Sequence, residues 1–138
     1  MPRSARDLMR SEPLTVAAET PLLDVQHVLV LAQVSGMPVV DQSGRVIGML
    51  SASDVLRALD QALDGDVGDG ELEQRFATVA ALTARDLATP DTIWVAADTP
   101  ASEIAERMRR DGVHSALVGD GVRLEGILTA FDLLAAVS

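Results

Sequence analysis

Two stretches of the chain put a hydroxyl and a carboxylate one helical turn apart, directly after a glycine and two apolar residues. They are Gly48-Met49-Leu50-Ser51-Ala52-Ser53-Asp54 and Gly126-Ile127-Leu128-Thr129-Ala130-Phe131-Asp132. The pattern delivers a strand to a helix N-terminus, where free N–H groups and the positive dipole end favour an anion. There Ser51 or Thr129 can bond a phosphate or sugar oxygen. Asp54 or Asp132 can accept from two vicinal hydroxyls, the pair that a ribose presents. The same atoms have a plainer use, because Ser/Thr-x-x-Asp is also a capping pattern that satisfies the helix's own N–H groups. The chain supplies a comparison: Ser4-x-x-Asp7 and Thr83-x-x-Asp86 share the spacing without the preceding glycine and strand, and are read as caps only. For Ser51/Asp54 and Thr129/Asp132 capping and ligand binding both stand, and they can coexist.

The elements that carry these residues come in two copies. Ser4–Leu8 returns as Thr83–Leu87, and Val16–Pro21 as Val95–Pro100, both 79 positions on. Gly48–Asp54 returns as Gly126–Asp132 at an offset of 78, so one residue is lost at a hairpin between Asp41 and Gly48. Units of this size are too small to be comfortable alone, and each is expected to bury its apolar face against the other. Each begins with a short helix capped by Ser4 or Thr83, then a strand near Leu14–Ala17 or Ile93–Ala96. Thr20-Pro21 and Thr99-Pro100 read as an N-cap with proline at the first helical position. The helices that follow are marked by Leu22, Val25, Val28 and Leu29, or by Ile104 and Met108, and should stop near Ser35-Gly36 or Asp111-Gly112. Hairpins come next, Met37–Val40 with Arg45–Leu50 and Ser115–Val118 with Val122–Leu128. A last helix starts after Ser51 or Thr129. The order is β-α-β-β-α, twice, in an α/β chain: motif 1 over 1–62, an acidic Gly-rich linker with a short helix at Glu71–Ala80 over 63–82, and motif 2 over 83–138.

Composition narrows the function. The 138 residues carry 48 % apolar but only 2 % aromatic side chains, so the core is aliphatic and a base-stacking nucleic-acid platform is not expected. Eleven basic residues, all Arg, stand against 21 acidic ones, a net charge of −10 that repels nucleic acid and anionic lipid. There is no Cys, hence no disulfide and no thiolate chemistry. No apolar run reaches the roughly 20 residues that span a bilayer, and the first residues lack a secretory signal. A cytoplasmic protein is expected. Asp64–Gly70 is a solvated linker; its aspartates do not fit the Ca²⁺-loop pattern, and no metal site is expected.

The doubled order, the strand Met37-Pro38-Val39-Val40-Asp41, the hairpin, and Gly48–Asp54 followed by Val55-Leu56 together resemble the CBS domain, named after cystathionine β-synthase. Two in tandem look like a Bateman module, and the resemblance covers about 4–60 and 83–136. It implies two motifs packed through their sheets with pseudo-two-fold symmetry. It implies a cleft ligand containing adenosine (AMP, ADP, ATP or S-adenosylmethionine), and a regulatory rather than catalytic role. Residue by residue, it makes Asp54 and Asp132 the ribose carboxylates, with Ser51 and Thr129 the hydroxyls near ribose and phosphate. Val34, Ser35, Met37, Val113 and His114 would line the base or phosphate side, and Thr20 and Thr99 would reach ribose across the cleft. The second unit departs from the first, with Leu117 for Pro38 and Gly119 for Val40. Ser115 stands where relatives carry a phosphate-binding Arg, so the two clefts are expected to differ.

Three functions follow from these residues. The first is a stand-alone adenosine-ligand sensor that acts in trans on a protein effector, with homodimerisation implied by the resemblance. The alternative is a ligand-free scaffold, in which the four side chains only cap helices and apolar stretches such as Val28–Val34 or Phe131–Val137 dimerise. An enzyme is not expected: two His, no Cys, no phosphate-cradling Gly-rich loop and no metal-ligand spacing offer little chemistry.

Overall fold

The computed structural model describes residues 3–34, 36–64, 68, 70–90, 92–134 and 136. In chain order the elements are α1 (Ala5–Leu8), β1 (Arg10–Ser11), β2 (Val16–Ala17), α2 (Leu22–Ala32), β3 (Gly36–Val40), β4 (Val46–Ser51) and α3 (Ala52–Ala62). Then come α4 (Glu71–Ala80), α5 (Ala84–Leu87), β5 (Ile93–Val95), α6 (Ala101–Asp111), β6 (Ser115–Gly119), β7 (Leu124–Thr129) and α7 (Ala130–Leu134). They form two small sheets, β2-β3-β4 and β1-β7-β6-β5. The β2–β3 and β5–β6 pairs are parallel, and β6–β7 is antiparallel.

The chain divides into two compact units that are not contiguous in sequence. One comprises residues 15–43 and 47–89; the other comprises 1–14, 44–46 and 90–138. The short leading helix of each repeat therefore lies in the unit built mainly by the other repeat. In the unit of the first repeat, Ala84 and Leu87 of α5 join a core of Val25, Leu29, Met37, Val39, Leu50 and Val55. In the other, Ala5 of α1 packs with Ile93, Val95, Ile104, Met108, Ala116, Val118 and Leu128. Every large member of both cores is aliphatic or Met, as the scarcity of aromatics requires.

Main-chain hydrogen bonds fix the exchange. The Ala84 and Arg85 amides donate to the Thr20 and Ala18 carbonyls, each at 2.8 Å. The Ala5 and Arg6 amides donate to Thr99 and Ala97 at 2.9 and 2.8 Å. These are the N–H groups that a helix leaves without intrahelical partners. The segment beyond each short helix then lies along a strand: Arg10 pairs with Ile127, and Thr89 with Met49. This close approach explains the glycine of each Gly-apolar-apolar-Ser/Thr motif. A β-carbon on Gly48 would stand 2.9 Å from the Thr89 carbonyl oxygen, and one on Gly126 3.0 Å from that of Arg10.

Several boundaries differ from those read in the sequence. Pro21 and Pro100, not the preceding threonines, are the N-caps of α2 and α6; both prolines are extended (ψ 153° and 146°) and receive no side-chain cap bond. The first amide of α2, that of Leu22, instead donates to the Leu82 carbonyl at 2.9 Å. Helix α2 ends earlier than expected because Gln33 takes the left-handed conformation (φ 55°), the role Gly112 plays after α6. Strand β1 was not anticipated, since two polar residues carry no period. Helix α4 has the expected bounds; the Arg75 guanidinium ties it to the end of α3 by donating to the Ala62 and Asp64 carbonyls. Most of the linker read at Asp64–Gly70 lies outside the described residues.

The second hairpin accommodates its missing residue with a bulge at Val118/Gly119. A β-carbon on Gly119 would overlap the Arg123 carbonyl and press on the Trp94 ring at 3.0 Å, which is why the position of Val40 holds glycine here. The Asp120 carboxylate closes the turn by accepting from the Val122 and Arg123 amides at 2.9 and 2.7 Å.

Two outcomes are expected. Gly48→Ala forces β4 and Thr89 apart and costs about 1–3 kcal/mol, read as a lower denaturation midpoint with unchanged m. The amides of Arg123 and Val122 hold the Asp120 carboxyl below its usual 3.8. The turn bonds are therefore intact above that value and are lost as pH falls beneath it. In an acid titration the Val122 and Arg123 amide resonances should move together below pH 3.8, and Asp120→Asn should abolish that step.

Candidate functional site

Each strand-to-helix junction places its hydroxyl and carboxylate as the sequence suggests. At α3 the Ser51 amide and hydroxyl donate to Asp54 Oδ2 at 2.8 and 3.0 Å, and the Asp54 amide returns a bond to Ser51 Oγ at 3.3 Å. At α7 the Thr129 amide and hydroxyl donate to Asp132 Oδ2 at 2.7 and 3.3 Å. The two boxes read as caps only have the same bonds: Ser4 to Asp7 and Thr83 to Asp86, each at 2.9 and 3.2 Å. All four aspartates therefore cap through Oδ2.

They differ in what surrounds them. Asp7 and Asp86 are exposed, whereas Asp54 and Asp132 are half-buried. Asp54 Oδ1 accepts from the Arg57 guanidinium at 3.1 Å, with the Asp54 side chain 11 % exposed and Arg57 63 %. Asp132 engages only Oδ2 among the described residues. No buried side-chain polar atom lacks a partner among those residues, so Asp132 Oδ1 remains open to solvent. A hydroxyl donor arriving there would meet an acceptor without displacing an internal bond.

The other residues singled out fall into three groups. Val113 and His114 line an apolar hollow of about 370 Å³ between α6 and α7, with Met108, Arg109 and Leu133. His114 is exposed, and its carbonyl accepts from the Ala130 amide at 3.1 Å, holding the start of α7. In the other unit Val34 packs against the core. Met37 is 1 % exposed, so its side chain is core and lines no open surface, a correction to its expected place. Thr20 and Thr99 act through their main chains, each carbonyl receiving the short helix of the other repeat; Thr99 is 8 % exposed. Ser35 lies outside the described residues.

Ser115, at the position of an expected phosphate-binding Arg, donates its hydroxyl to Thr92 Oγ1 at 3.3 Å. Sequence reasoning gave Arg57 no particular partner, although its place one turn after Asp54 is an ion-pair spacing. It also overlooked Arg109, whose guanidinium bonds Glu106 at 2.7 Å at the edge of the hollow. A second hollow, of about 430 Å³, lies at the ends of β2 and β3 beside the Glu19–Arg85 ion pair and contains none of the expected residues. Among the described residues no group of three or more acidic, His or Cys side chains is placed to hold a metal, and no helix is long and apolar enough to cross a membrane.

The family model of the CBS domain matches residues 5–61 and 84–138. The chain belongs to the CBS domain family. The CBS domain of a CBS domain containing membrane protein from Sphaerobacter thermophilus is 30 % identical, with a TM-score of 0.78 over 98 % of this chain and 88 % of that one. A CBS domain pair crystallised with 5′-methylthioadenosine and S-adenosyl-L-methionine shares the fold at 20 % identity, with a TM-score of 0.79 over 99 % of this chain and 97 % of that one. The human 5′-AMP-activated protein kinase subunit gamma-3 is 30 % identical over 130 residues, 90 % of this chain. The L-aspartate semialdehyde sulfurtransferase of Methanocaldococcus jannaschii is 21 % identical over 93 % of this chain. This chain spans only 24 % and 22 % of those two proteins' lengths, so the likeness is to their CBS portions.

Proposed function

We propose that this CBS pair is a regulatory sensor of an adenosine-containing ligand, AMP, ADP, ATP or S-adenosylmethionine. In this reading it works as a cytoplasmic homodimer, acts in trans on a protein effector, and catalyses no reaction. One observation carries the reading: the half-buried Asp132 caps α7 with one carboxylate oxygen and leaves the other unbonded and open, beside the Thr129 hydroxyl. A ribose diol needs such an acceptor, and a cap alone does not. The adenosine ligands printed for the solved CBS pair, and the AMP-activated kinase whose gamma subunit this chain resembles, support the choice of ligand class. The ligand acts by linkage, favouring whichever arrangement of the module binds it more tightly.

The two sites are unequal in this account. Arg57 occupies Asp54 Oδ1, so a ligand at the first repeat must displace an ion pair, and the second repeat binds more tightly. The ligand-free scaffold is favoured by one observation, the identical Oδ2 bonding of all four aspartates.

A thermal-shift panel on verified ligand-free protein separates the two. At 100 times its dissociation constant, a bound nucleotide stabilises the fold by about 2.7 kcal/mol. Asp132→Ala and Asp7→Ala each remove a capping box, at a cost of about 1 kcal/mol. Only Asp132→Ala should erase the ligand shift, while Asp54→Ala should reduce it less. No shift with any adenosine ligand, or equal loss of response in Asp7→Ala and Asp132→Ala, sinks the sensor and leaves the scaffold.

A further inference from the structure

Helix α2 is apolar on two sides. Leu22, Val25 and Leu29 are buried in the core. On the opposite side Leu23, Val30 and Leu31 are 64, 65 and 70 % exposed, and the exposed His27 lies among them. A helix that is hydrophobic all round belongs in an interior, yet this one is half in water. The neighbouring α3 adds Leu56 and Leu63, 66 and 51 % exposed.

The duplication provides the control. The positions of Leu23, His27, Val30 and Leu31 are occupied in α6 by Ser102, Glu106, Arg109 and Arg110. Both helices bury the equivalent inner residues, Leu29 of α2 and Met108 of α6. Folding therefore asks nothing of the outer side, and only α2 has kept it uncharged.

The spacing of the stripe identifies its occupant. Leu23, His27 and Leu31 form one i, i+4 row, symmetric about His27, which is the central residue of Leu22–Ala32. Such a row read backwards is the same row. It can interdigitate with a copy of itself across a two-fold axis, in the packing of i±4 ridges that crosses helices at about −50°. Two molecules of net charge −10 repel over most of their surfaces, and an uncharged stripe is where they can meet without stripping water from charged groups. The charged α6 offers no matching surface for the α2 leucines.

We infer that α2 is an isologous interface at which two copies of this chain pair, α2 against α2, with the His27 residues at the two-fold axis. This rests on the homodimer reading above and is independent of the ligand. It assigns the dimer's orientation, first repeat facing first repeat.

Sedimentation equilibrium on the wild type and on exposed-site variants tests it. The wild type should dimerise in the micromolar range. Leu23→Glu and Leu31→Glu should each weaken the dimer more than about a hundredfold while leaving the circular dichroism unchanged, because each places a charge in the contact twice. Ser102→Glu and Arg110→Glu on α6 should leave it intact. At a ridge crossing, an interaxial distance of about 8–10 Å less two helical radii of about 2.3 Å brings the His27 backbones within disulfide reach. His27→Cys, the single thiol in the chain, should therefore form a covalent dimer on mild oxidation, and Ser102→Cys should not. A monomeric wild type overturns the homodimer reading and this inference together. A dimer that survives both glutamates, one broken only from α6, or a monomer that uses α2 to hold a different protein overturns the inference alone.

Discussion

The crossed main-chain hydrogen bonds between each short leading helix and the strand-to-helix loop of the opposite repeat are the constraint on which the structure depends. A four-residue helix has too few internal bonds to persist by itself. Helix α1 exists where the Thr99 and Ala97 carbonyls receive its first amides, and α5 where Thr20 and Ala18 do. Once docked, each carries an alanine into the core, Ala5 or Ala84, both fully buried. The segment beyond lies so close to β4 or β7 that only glycine fits beneath it. Core, cap and sheet edge of each unit thus depend on residues that the chain supplies from the other end of the repeat.

That exchange explains what could be read in the sequence and what could not. The capping boxes at Ser4, Ser51, Thr83 and Thr129 were legible because an N-cap is a local device, complete within four residues. Helix α4 was legible because Gly70 precedes it and its apolar residues recur at helical spacing. The partner of each leading helix was not, because both repeats carry the same local pattern and nothing within Ala84–Leu87 says which loop will receive it. The proline caps were misassigned for a related reason: the first amide of α2 finds its acceptor at Leu82, far along the chain, so the Thr20 hydroxyl is not needed as a cap. Long-range partners override local propensity wherever the two compete.

The candidate site poses the same question at atomic scale. Residue types and spacing alone could not separate a cap from a ligand site, because both use Ser/Thr-x-x-Asp. The structure separates the two oxygens of one carboxylate. Oδ2 is committed to the helix in all four copies, so capping is common to them and discriminates nothing. Discrimination rests on Oδ1 and on burial. At Asp7 and Asp86 the side chain is in water; at Asp54 an Arg has arrived; at Asp132 the oxygen is open and half-sheltered. Met37 shows the opposite limit, a residue placed at the site by family position whose side chain the core has claimed.

Duplication preserves what folding requires and releases the rest. Gly48 and Gly126, Ala5 and Ala84, and the four capping boxes match because each meets a steric or hydrogen-bonding demand repeated in both units. Val40 and Gly119 differ because the second hairpin is one residue shorter and its bulge excludes a β-carbon. Leu31 and Arg110 differ for no reason internal to either unit, since both side chains point to solvent. A side chain that packing does not constrain drifts toward polar types unless something outside the fold selects it. The apolar outer side of α2 is therefore better explained by a contact made beyond this chain than by anything within it, and the charged outer side of α6 marks where that contact is not made.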